Sequence, residues 1–399
     1  MDWADVAKAI SIIGVVLLHA ILVVPGGEDT YLRAFYLLLD PIRMPLFFMI
    51  SGLFSHRVIS RNLTDLWYRR IWFLLVPYLV FKVITAVARY IQDPGYQTFG
   101  EFIRSVIVGD PGIWFLYALM VFNVIAVLTR KLPPGLVVAL SFVPGIAYAL
   151  LDGRQYERYA EISHIALYLP AFMVGLYGRA LWLKLAKHAA VDPDREPAGG
   201  VGKLMPVFVA LGALAAYLTW WVLYSLIESE TGFVLLRLAG AILAVPIAIV
   251  IAVHLVRVPV LSPALVAIGR NTLPIYLAHP LALWIIGLPL ARWLSANGIT
   301  IFEEPEAGVV LMLLVCAAAS AFLYFVGRVP VLKWIMHPPP LKRRKPAPVV
   351  FVGGVGLCGG VVRLPSVVLQ CCGLLWSRTP FCNTKSTSHG ERRRECSVT

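Results

Sequence analysis

The chain has 399 residues, of which 59% are hydrophobic and 14% charged, and its formal net charge at pH 7 is +13. Soluble domains average about 45–50% apolar and about 25% charged residues, so this composition excludes an ordinary soluble protein and indicates a multi-pass membrane protein. The basic residues follow the loops and the C-terminal segment, which argues against nucleic acid as a partner and favours anionic membrane lipids.

Apolar runs of spanning length recur along the chain and are separated by short charged loops. The sequence opens almost directly on the first run, without a basic segment and a cleavage site, so we expect no cleaved signal peptide. The runs predict an all-α integral membrane bundle of about ten transmembrane helices, near 7–24, 35–54, 71–91, 113–129, 134–151, 162–180, 204–227, 233–256, 272–291 and 307–327.

The charges of the loops alternate between the two sides that this plan predicts. Because Lys and Arg collect on cytoplasmic loops, the basic set predicts that both termini are cytoplasmic. The other set is mainly acidic. The basic set is Arg57, Arg61, Arg69, Arg70, Arg130, Lys131, Arg179, Lys184, Lys187, Lys203, Arg257 and Arg270.

The first predicted span carries three ionisable residues in DVAKAISIIGVVLLHA. Lys8 and His19 are eleven residues apart, so they lie on one helix face roughly 16 Å apart, and Asp5 falls near the same stripe. We expect His19 at mid-depth. Two interpretations stand: a structural hydrogen bond to a neighbouring helix, or a functional site, since ionisable groups in membrane helices usually face a wet cavity.

The second predicted span contains DPIRMPLFFMISGLF. Asp40 and Arg43 are three residues apart and can pair on one helix face. Two prolines interrupt the backbone, and Ser51 with the following glycine allows close helix approach. The alternatives are a functional ion pair and a kinked helix with a purely local one.

Three further features belong to the third and fourth spans. Arg69 and Arg70 stand where the third helix leaves the inner side, and Arg matches the geometry of phosphate groups. They either hold the phosphates of a cytoplasmic ligand or serve only as topology charges. Trp114 opens the fourth span, a position typical of an interfacial anchor.

The ninth predicted span begins IGRNTLPIYLAHP and brings a second histidine into the membrane. Asn271 and His279 are eight residues apart and are predicted to lie near one helix face, with Tyr276 displaced from it. A second intramembrane histidine strengthens the functional interpretation of both.

Five segments in this order resemble the acyltransferase 3 family of integral membrane enzymes. They are DVAKAISIIGVVLLHA, RMPLFFMISGLF, YRRIWFLLVPYL, GIWFLYALMVF and IGRNTLPIYLAHP. The opening D-x-x-K is most similar to the fucose 4-O-acetylase-related branch. Lys8 stands where the family often has arginine, and an R-x-x-R pattern common at the third helix is incomplete, because Phe73 follows Arg70 by three residues.

The resemblance implies transfer of an acyl group, commonly acetyl from cytoplasmic acetyl-CoA or another acyl-CoA, to a sugar hydroxyl of an envelope or extracellular glycan. It places the protein in a cell membrane, with a bacterial inner or plasma membrane expected, and implies acyl-CoA as co-substrate with no bound cofactor. The candidate catalytic residues are His19, Lys8, Asp40 and Arg43; the donor-binding ones are Arg69, Arg70 and Asn271; Asp5, Ser51, Trp114, Tyr276 and His279 are substrate-binding or structural.

The chemistry required is general base catalysis on a hydroxyl, for which histidine has a suitable ordinary pKa. The negative charge that develops on the thioester oxygen needs donors, which leaves Lys8, Arg43, Arg70, Asn271 and Tyr276 open as alternatives. A covalent acyl-enzyme intermediate also stays open, with Ser51 available but without an identified base. No metal site is predicted.

Two other function classes remain: a transporter or flippase of a glycan or lipid-linked substrate, and an inactive membrane scaffold. For domain organisation, the sequence predicts a ten-helix membrane domain over 1–335. Residues 336–399 form a basic, then Gly- and Cys-containing tail, which we expect to be poorly ordered, and its cysteines lack metal-ligand spacing.

Overall fold

The computed structural model describes residues 1–92, 98–108, 113–150, 160–190, 200–299, 301–341, 351–352 and 355–356. Of the predicted 336–399 tail, only 336–341, 351–352 and 355–356 are described, so the predictions for it fall almost wholly outside the described residues. Contacts divide the chain into two units, Met1–Lys342 and Arg343–Thr399. In the second unit, strand β1 (Phe351–Val352) pairs antiparallel with strand β2 (Val355–Gly356).

The first unit is helical in all its described regular structure, apart from the turns that join its elements. The helices of the first half are α1 Asp2–Val23, α2 Tyr31–Phe54, α3 Leu63–Leu66, α4 Trp72–Gln92, α5 Phe99–Val108, α6 Trp114–Leu128, α7 Pro134–Ser141, α8 Val143–Leu150, α9 Ala160–Tyr177 and α10 Arg179–Ala189. A π-helical turn, Trp67–Ile71, joins α3 to α4.

The second half continues in the same way. Its helices are α11 Gly200–Leu226, α12 Glu230–Leu243, α13 Val245–Leu255, α14 Leu261–Arg270, α15 Thr272–Leu281, α16 Leu288–Ala296 and α17 Pro305–Val326. A second π-helical turn, Ala282–Gly287, joins α15 to α16.

Seven helical stretches among the described residues are long and apolar enough to cross a membrane, or eight if the bent pair α9–α10 counts as one span. The prediction of an all-α, multi-pass membrane protein is confirmed. Two predicted spans correspond to shorter apolar stretches, Trp114–Leu128 and Pro134–Leu150. The count of about ten stays a prediction.

Helix α1 lies at the centre of the bundle, because its different faces contribute to all three clusters of buried apolar residues. Ile12 packs into the first cluster, Val6 into the second and Leu17 into the third. Small residues allow this close surrounding. At Gly14, for example, an added Cβ would lie 3.4 Å from the Cβ of Arg43 on α2.

Helices α2 and α9 pack backbone against backbone at two glycines. A Cβ added at Gly52 would overlap the carbonyl oxygen of Phe172, and one added at Gly175 would overlap that of Met49. Such glycines let membrane helices pack backbone against backbone. The approach fixes α2, which carries Asp40 and Arg43, against α9.

Three contacts join loops that the charge pattern assigns to the same side. Arg130 donates to the carbonyl of Arg61, and Arg257 donates to the carbonyl of Ala190, on the side predicted to be basic. Gly26 lies against Pro305, on the side predicted to be acidic. The orientation of the two sides stays a prediction.

One local prediction is wrong. The ninth span, predicted over 272–291, corresponds to the stretch Thr272–Ala296, but Asn271 lies just before it with a non-helical backbone (φ −115°, ψ 33°). The side-chain amide of Asn271 donates to the carbonyl of Ala267 at 2.7 Å. Asn271 therefore does not share a helix face with His279. His19 lies four residues before the last residue of α1, Val23, and its depth in the membrane stays a prediction.

Candidate active site

Two histidines from distant parts of the chain meet inside the bundle. α1 carries His19 and α15 carries His279, and their ring centroids are 5.0 Å apart with the rings inclined at 67°. His279 is 1% exposed, whereas His19 is only partly buried. The structure thus joins the two intramembrane histidines, and only His19 keeps an appreciable accessible surface.

The hydrogen bonds of the two rings define their tautomers. Nδ1 of His19 lies 2.8 Å from the carbonyl oxygen of Val15, and Nδ1 of His279 lies 3.1 Å from that of Ile275. A carbonyl oxygen only accepts, so each Nδ1 carries the proton and donates it. In the neutral rings, both Nε2 atoms therefore hold a lone pair, which is the state that a general base requires.

Neighbouring side chains hold His279 from two directions. The ring of Tyr276 lies 5.9 Å from the His279 ring, and the Tyr276 hydroxyl accepts the backbone N–H of Phe115 at 3.0 Å. On α17, the thiol of Cys316 lies 3.8 Å from the carbonyl oxygen of His279. Tyr276 thereby links α15 to the start of α6, next to the histidine pair.

The predicted pair of Asp40 and Arg43 forms and belongs to a larger cluster. Oδ1 of Asp40 accepts from the guanidinium of Arg43 at 3.1 Å and from the hydroxyl of Tyr36 at 2.6 Å. Arg237 of α12 lies 3.8 Å from Oδ2. The Arg43 guanidinium also lies over the Tyr36 ring, 5.0 Å from its centroid.

A second ionic group lies at the beginning of α1. Lys8 pairs with Asp5 at 2.8 Å, and Arg270 reaches both Asp5 at 3.3 Å and Asp2 at 3.0 Å. Lys8 and His19 are separated by three helical turns, roughly 16 Å. The structure therefore does not bring Lys8 to the histidines, and the two act at different levels of the bundle.

Arg69 and Arg70 do not act as a pair. The side chain of Arg70 points inward and donates to Ser55 Oγ at 2.8 Å, whereas Arg69 is exposed. The π-helical turn that contains them separates their directions. The hydroxyl of Ser51 donates to the carbonyl of Phe47 at 2.8 Å, a bond within its own helix.

Asn271 lines an apolar cleft of about 460 Å³ between α1, α14, α15 and α17. Ile12 and Val16 of α1 form one wall, and Cys316 and Ser320 of α17 form another. Apolar walls suit a hydrocarbon chain better than a charged ligand. The surroundings of Asn271 thus differ from those expected of a residue that binds phosphate.

Trp114 does more than anchor the start of α6. Its ring stacks on His164 of α9 with centroids 4.5 Å apart, and on Tyr168 at 5.7 Å. Nδ1 of His164 is buried and makes no hydrogen bond. Trp114 therefore belongs to an aromatic group that continues through Phe48, whose ring stacks on Tyr168 at 5.5 Å.

Several ionisable side chains of spanning stretches were not predicted as site residues, among them His164, Arg237 and Lys82, the last being 1% exposed within α4. The signal was available, because each lies inside an apolar helical stretch where ionisable groups are rare. Among the described residues, no group of three or more His, Cys, Asp or Glu side chains is placed to hold a metal ion.

The fold and the site together define a class: a multi-pass membrane protein whose bundle encloses a histidine pair with lone pairs available for proton transfer. Residues 1–327 match the acyltransferase 3 family, described as an acyltransferase domain. The match covers most of the chain, so the protein belongs to this family of acyltransferases. No curated protein and no solved structure matches the chain.

Proposed function

We propose that this acyltransferase is an O-acyltransferase that moves an acetyl group from cytoplasmic acetyl-CoA to a sugar hydroxyl of an envelope or extracellular glycan. It does so from a cell membrane, with both termini cytoplasmic and about ten spanning helices. The opening D-x-x-K supports an assignment nearest the fucose 4-O-acetylase-related branch. The observation that carries the proposal is the pair of His19 and His279 in the bundle of a member of this family.

His19 is the proposed general base. Its Nδ1 proton is donated to Val15, so Nε2 is available to take the proton of the acceptor hydroxyl as the oxygen attacks the thioester carbon. The C–S bond then breaks, the thiolate of CoA leaves, and the imidazolium returns its proton to the sulfur. His279 lies behind His19, nearly inaccessible, and positions it.

The oxyanion that forms on the thioester carbonyl requires donors close to His19. Arg43 packs against α1 at Gly14, five residues before His19, which makes its guanidinium the first candidate. Tyr276 is the second, because its ring contacts that of His279. Lys8 lies three turns away, so we assign it to orienting the acyl donor at the other level of the bundle.

The test is acetyl transfer by the purified full-length protein in lipid nanodiscs, with labelled acetyl-CoA and a panel of glycosides, and with CoA release followed in parallel. His19→Gln should lower turnover per folded molecule by about 10²–10⁴-fold, because an amide does not take the proton. His254→Gln is the matched control, since His254 is an exposed histidine of another spanning helix.

His279→Gln separates positioning from catalysis. Because His279 is buried against Cys316 and Tyr276, its loss should lower the amount of folded protein more than the rate per folded molecule. Turnover near that of the wild type in His19→Gln would exclude His19 as the base. A loss confined to His279→Gln would transfer that role to His279.

A further inference from the structure

The cluster around Asp40 carries more positive than negative charge. It contains the guanidiniums of Arg43 and Arg237 and the single carboxylate of Asp40. Each of these three groups lies in a helical stretch of spanning length. A charge within a membrane bundle is costly unless it is paired or hydrogen-bonded, so the second guanidinium calls for an anion that the described residues do not provide.

Arg237 is the most exposed of the three charged residues in this cluster. Its side chain is 41% exposed, whereas that of Asp40 is 19% exposed and that of Arg43 is 12% exposed. A guanidinium that is this accessible in a spanning helix must face a polar space rather than hydrocarbon. Arg237 lies seven residues into α12, roughly 10 Å from its first residue. Its guanidinium lies over the ring of Phe233, 4.9 Å from the centroid and one turn nearer the beginning of α12.

Unused hydrogen-bonding groups point to the same place. Nε of Arg43 is buried and makes no hydrogen bond, as is Nδ1 of His164. His164 lies on α9, which packs against both α2 and α12, the helices of Arg43 and Arg237. Buried polar atoms in folded proteins are nearly always satisfied, so this unsatisfied pair beside an excess positive charge leaves hydrogen-bonding groups for a ligand.

The same region adjoins both an aromatic surface and the proposed base. His164 stacks on Trp114, and Arg43 packs against α1 at Gly14, five residues before His19. Aromatic rings beside polar groups suit a sugar, which has apolar C–H faces and hydroxyl edges. Asp40 and Arg43 lie near the middle of α2. Arg237 lies nearer the beginning of its spanning stretch, Thr231–Leu255, which is the acceptor's side under the proposed topology.

We propose that Arg237 and Arg43 bind an anionic group, a carboxylate or a phosphate, of the acceptor glycan, beside a sugar that contacts Trp114 and His164. This inference rests on the proposed function and deepens it, because it names the acceptor as an acidic glycan. Arginine presents two parallel N–H donors that match either anion. Asp40 holds both guanidiniums in position.

The experiment compares matched acceptors: neutral hexosides, the corresponding uronosides with a carboxylate, and the corresponding hexoside phosphates. The wild type should prefer an anionic member of at least one matched set in kcat/KM. Arg237→Gln should reduce that preference by about tenfold to a hundredfold, the effect of losing a hydrogen-bonded charged partner. Arg237→Lys, which keeps the charge but loses the paired donors, should lie in between. Which anionic series is preferred distinguishes carboxylate from phosphate.

Arg292→Gln is the control, because Arg292 is an exposed arginine at the same predicted side, on α16. It should keep the wild-type preference. The midpoint of thermal unfolding is measured with each glycoside as a readout that does not need turnover, and only anionic glycosides should raise it in an Arg237-dependent manner. That readout also tests the inference in the event that no transfer occurs.

The outcomes separate the two proposals. CoA release that depends on His19, without a preference for any anionic acceptor, would overturn the anionic acceptor and leave the acyltransferase proposal standing. An equal loss with anionic and neutral acceptors in Arg237→Gln would make Arg237 a structural residue and also overturn it. Absence of CoA release with Arg237-dependent stabilisation by anionic glycosides would contradict the proposed function and support the anion site.

Discussion

Two ionic groups of this protein contain the same kinds of side chain but differ in their balance of charge. At the beginning of α1, two carboxylates (Asp2 and Asp5) meet two basic groups (Lys8 and Arg270), so their charges balance. Asp2 and Arg270 are 56% and 61% exposed. In the cluster of Asp40, Arg43 and Arg237, one carboxylate meets two guanidiniums, and Asp40 and Arg43 are largely buried.

The difference indicates two roles. Exposed ion pairs such as that of Asp2 and Arg270 contribute about 0–1 kcal/mol and mainly fix the position of one element against another. Asp5 and Lys8 beside them are only 13% and 22% exposed, but they balance each other's charge. A buried carboxylate between two cations is a different case, because removing it leaves uncompensated charge, at a cost of about 3–5 kcal/mol. We interpret the group on α1 as a clamp between α1 and α14, and the Asp40 cluster as a site with charge left for a ligand.

The largest effect on stability is expected at Asp40. Asp40→Asn removes the carboxylate that two guanidiniums share and should lower the free energy of unfolding by about 3–5 kcal/mol. The measurement is thermal unfolding in detergent, together with the yield of folded protein. Asp2→Asn is the comparison within the exposed group and should change little. Equal effects of the two substitutions would remove the distinction between the groups.

The clamp should depend more on close packing than on its charges. A Cβ at Gly269 would overlap the carbonyl oxygen of Asp5, so Gly269→Ala should push α14 away from α1 and cost about 1–3 kcal/mol. Gly135→Ala is the control, because open space surrounds Gly135 on α7 and the substitution should be neutral or slightly stabilising. Unchanged stability in Gly269→Ala would show that the approach is not tight.

Lys8 tests whether the clamp also contributes to function. Lys8→Ala should raise KM for the acyl donor roughly tenfold and change kcat less, because Lys8 lies far from the proposed base and assists binding rather than proton transfer. Lys184→Ala, an exposed lysine of α10, is the control. A fall in kcat without a rise in KM would place Lys8 in the chemical step instead.

The smallest effect is expected at Arg270. Arg270→Gln breaks two exposed ion pairs and should lower the free energy of unfolding by no more than about 1 kcal/mol. Because screening by salt weakens exposed pairs, the difference from the wild type should shrink as the ionic strength rises. A larger loss that salt does not change would show that the group on α1 is as important energetically as the Asp40 cluster.

The sequence by itself determined the class of the protein, its family and the contacts that helical periodicity fixes. Asp40 and Arg43 lie three residues apart, and Lys8 and Asp5 do as well, so an α-helix brings each pair onto one face whatever surrounds it. The membrane class follows from composition, because apolar stretches of spanning length are stable only in lipid.

Only the tertiary structure decided which helices meet. His19 and His279 are 260 positions apart, and no local rule predicts that their rings are 5.0 Å apart or that Arg237 reaches Asp40. These contacts depend on how closely the backbones approach, which small residues such as Gly14 and Gly52 permit at particular points. Periodicity gives the face of a helix on which a side chain lies, and packing determines what that face contacts.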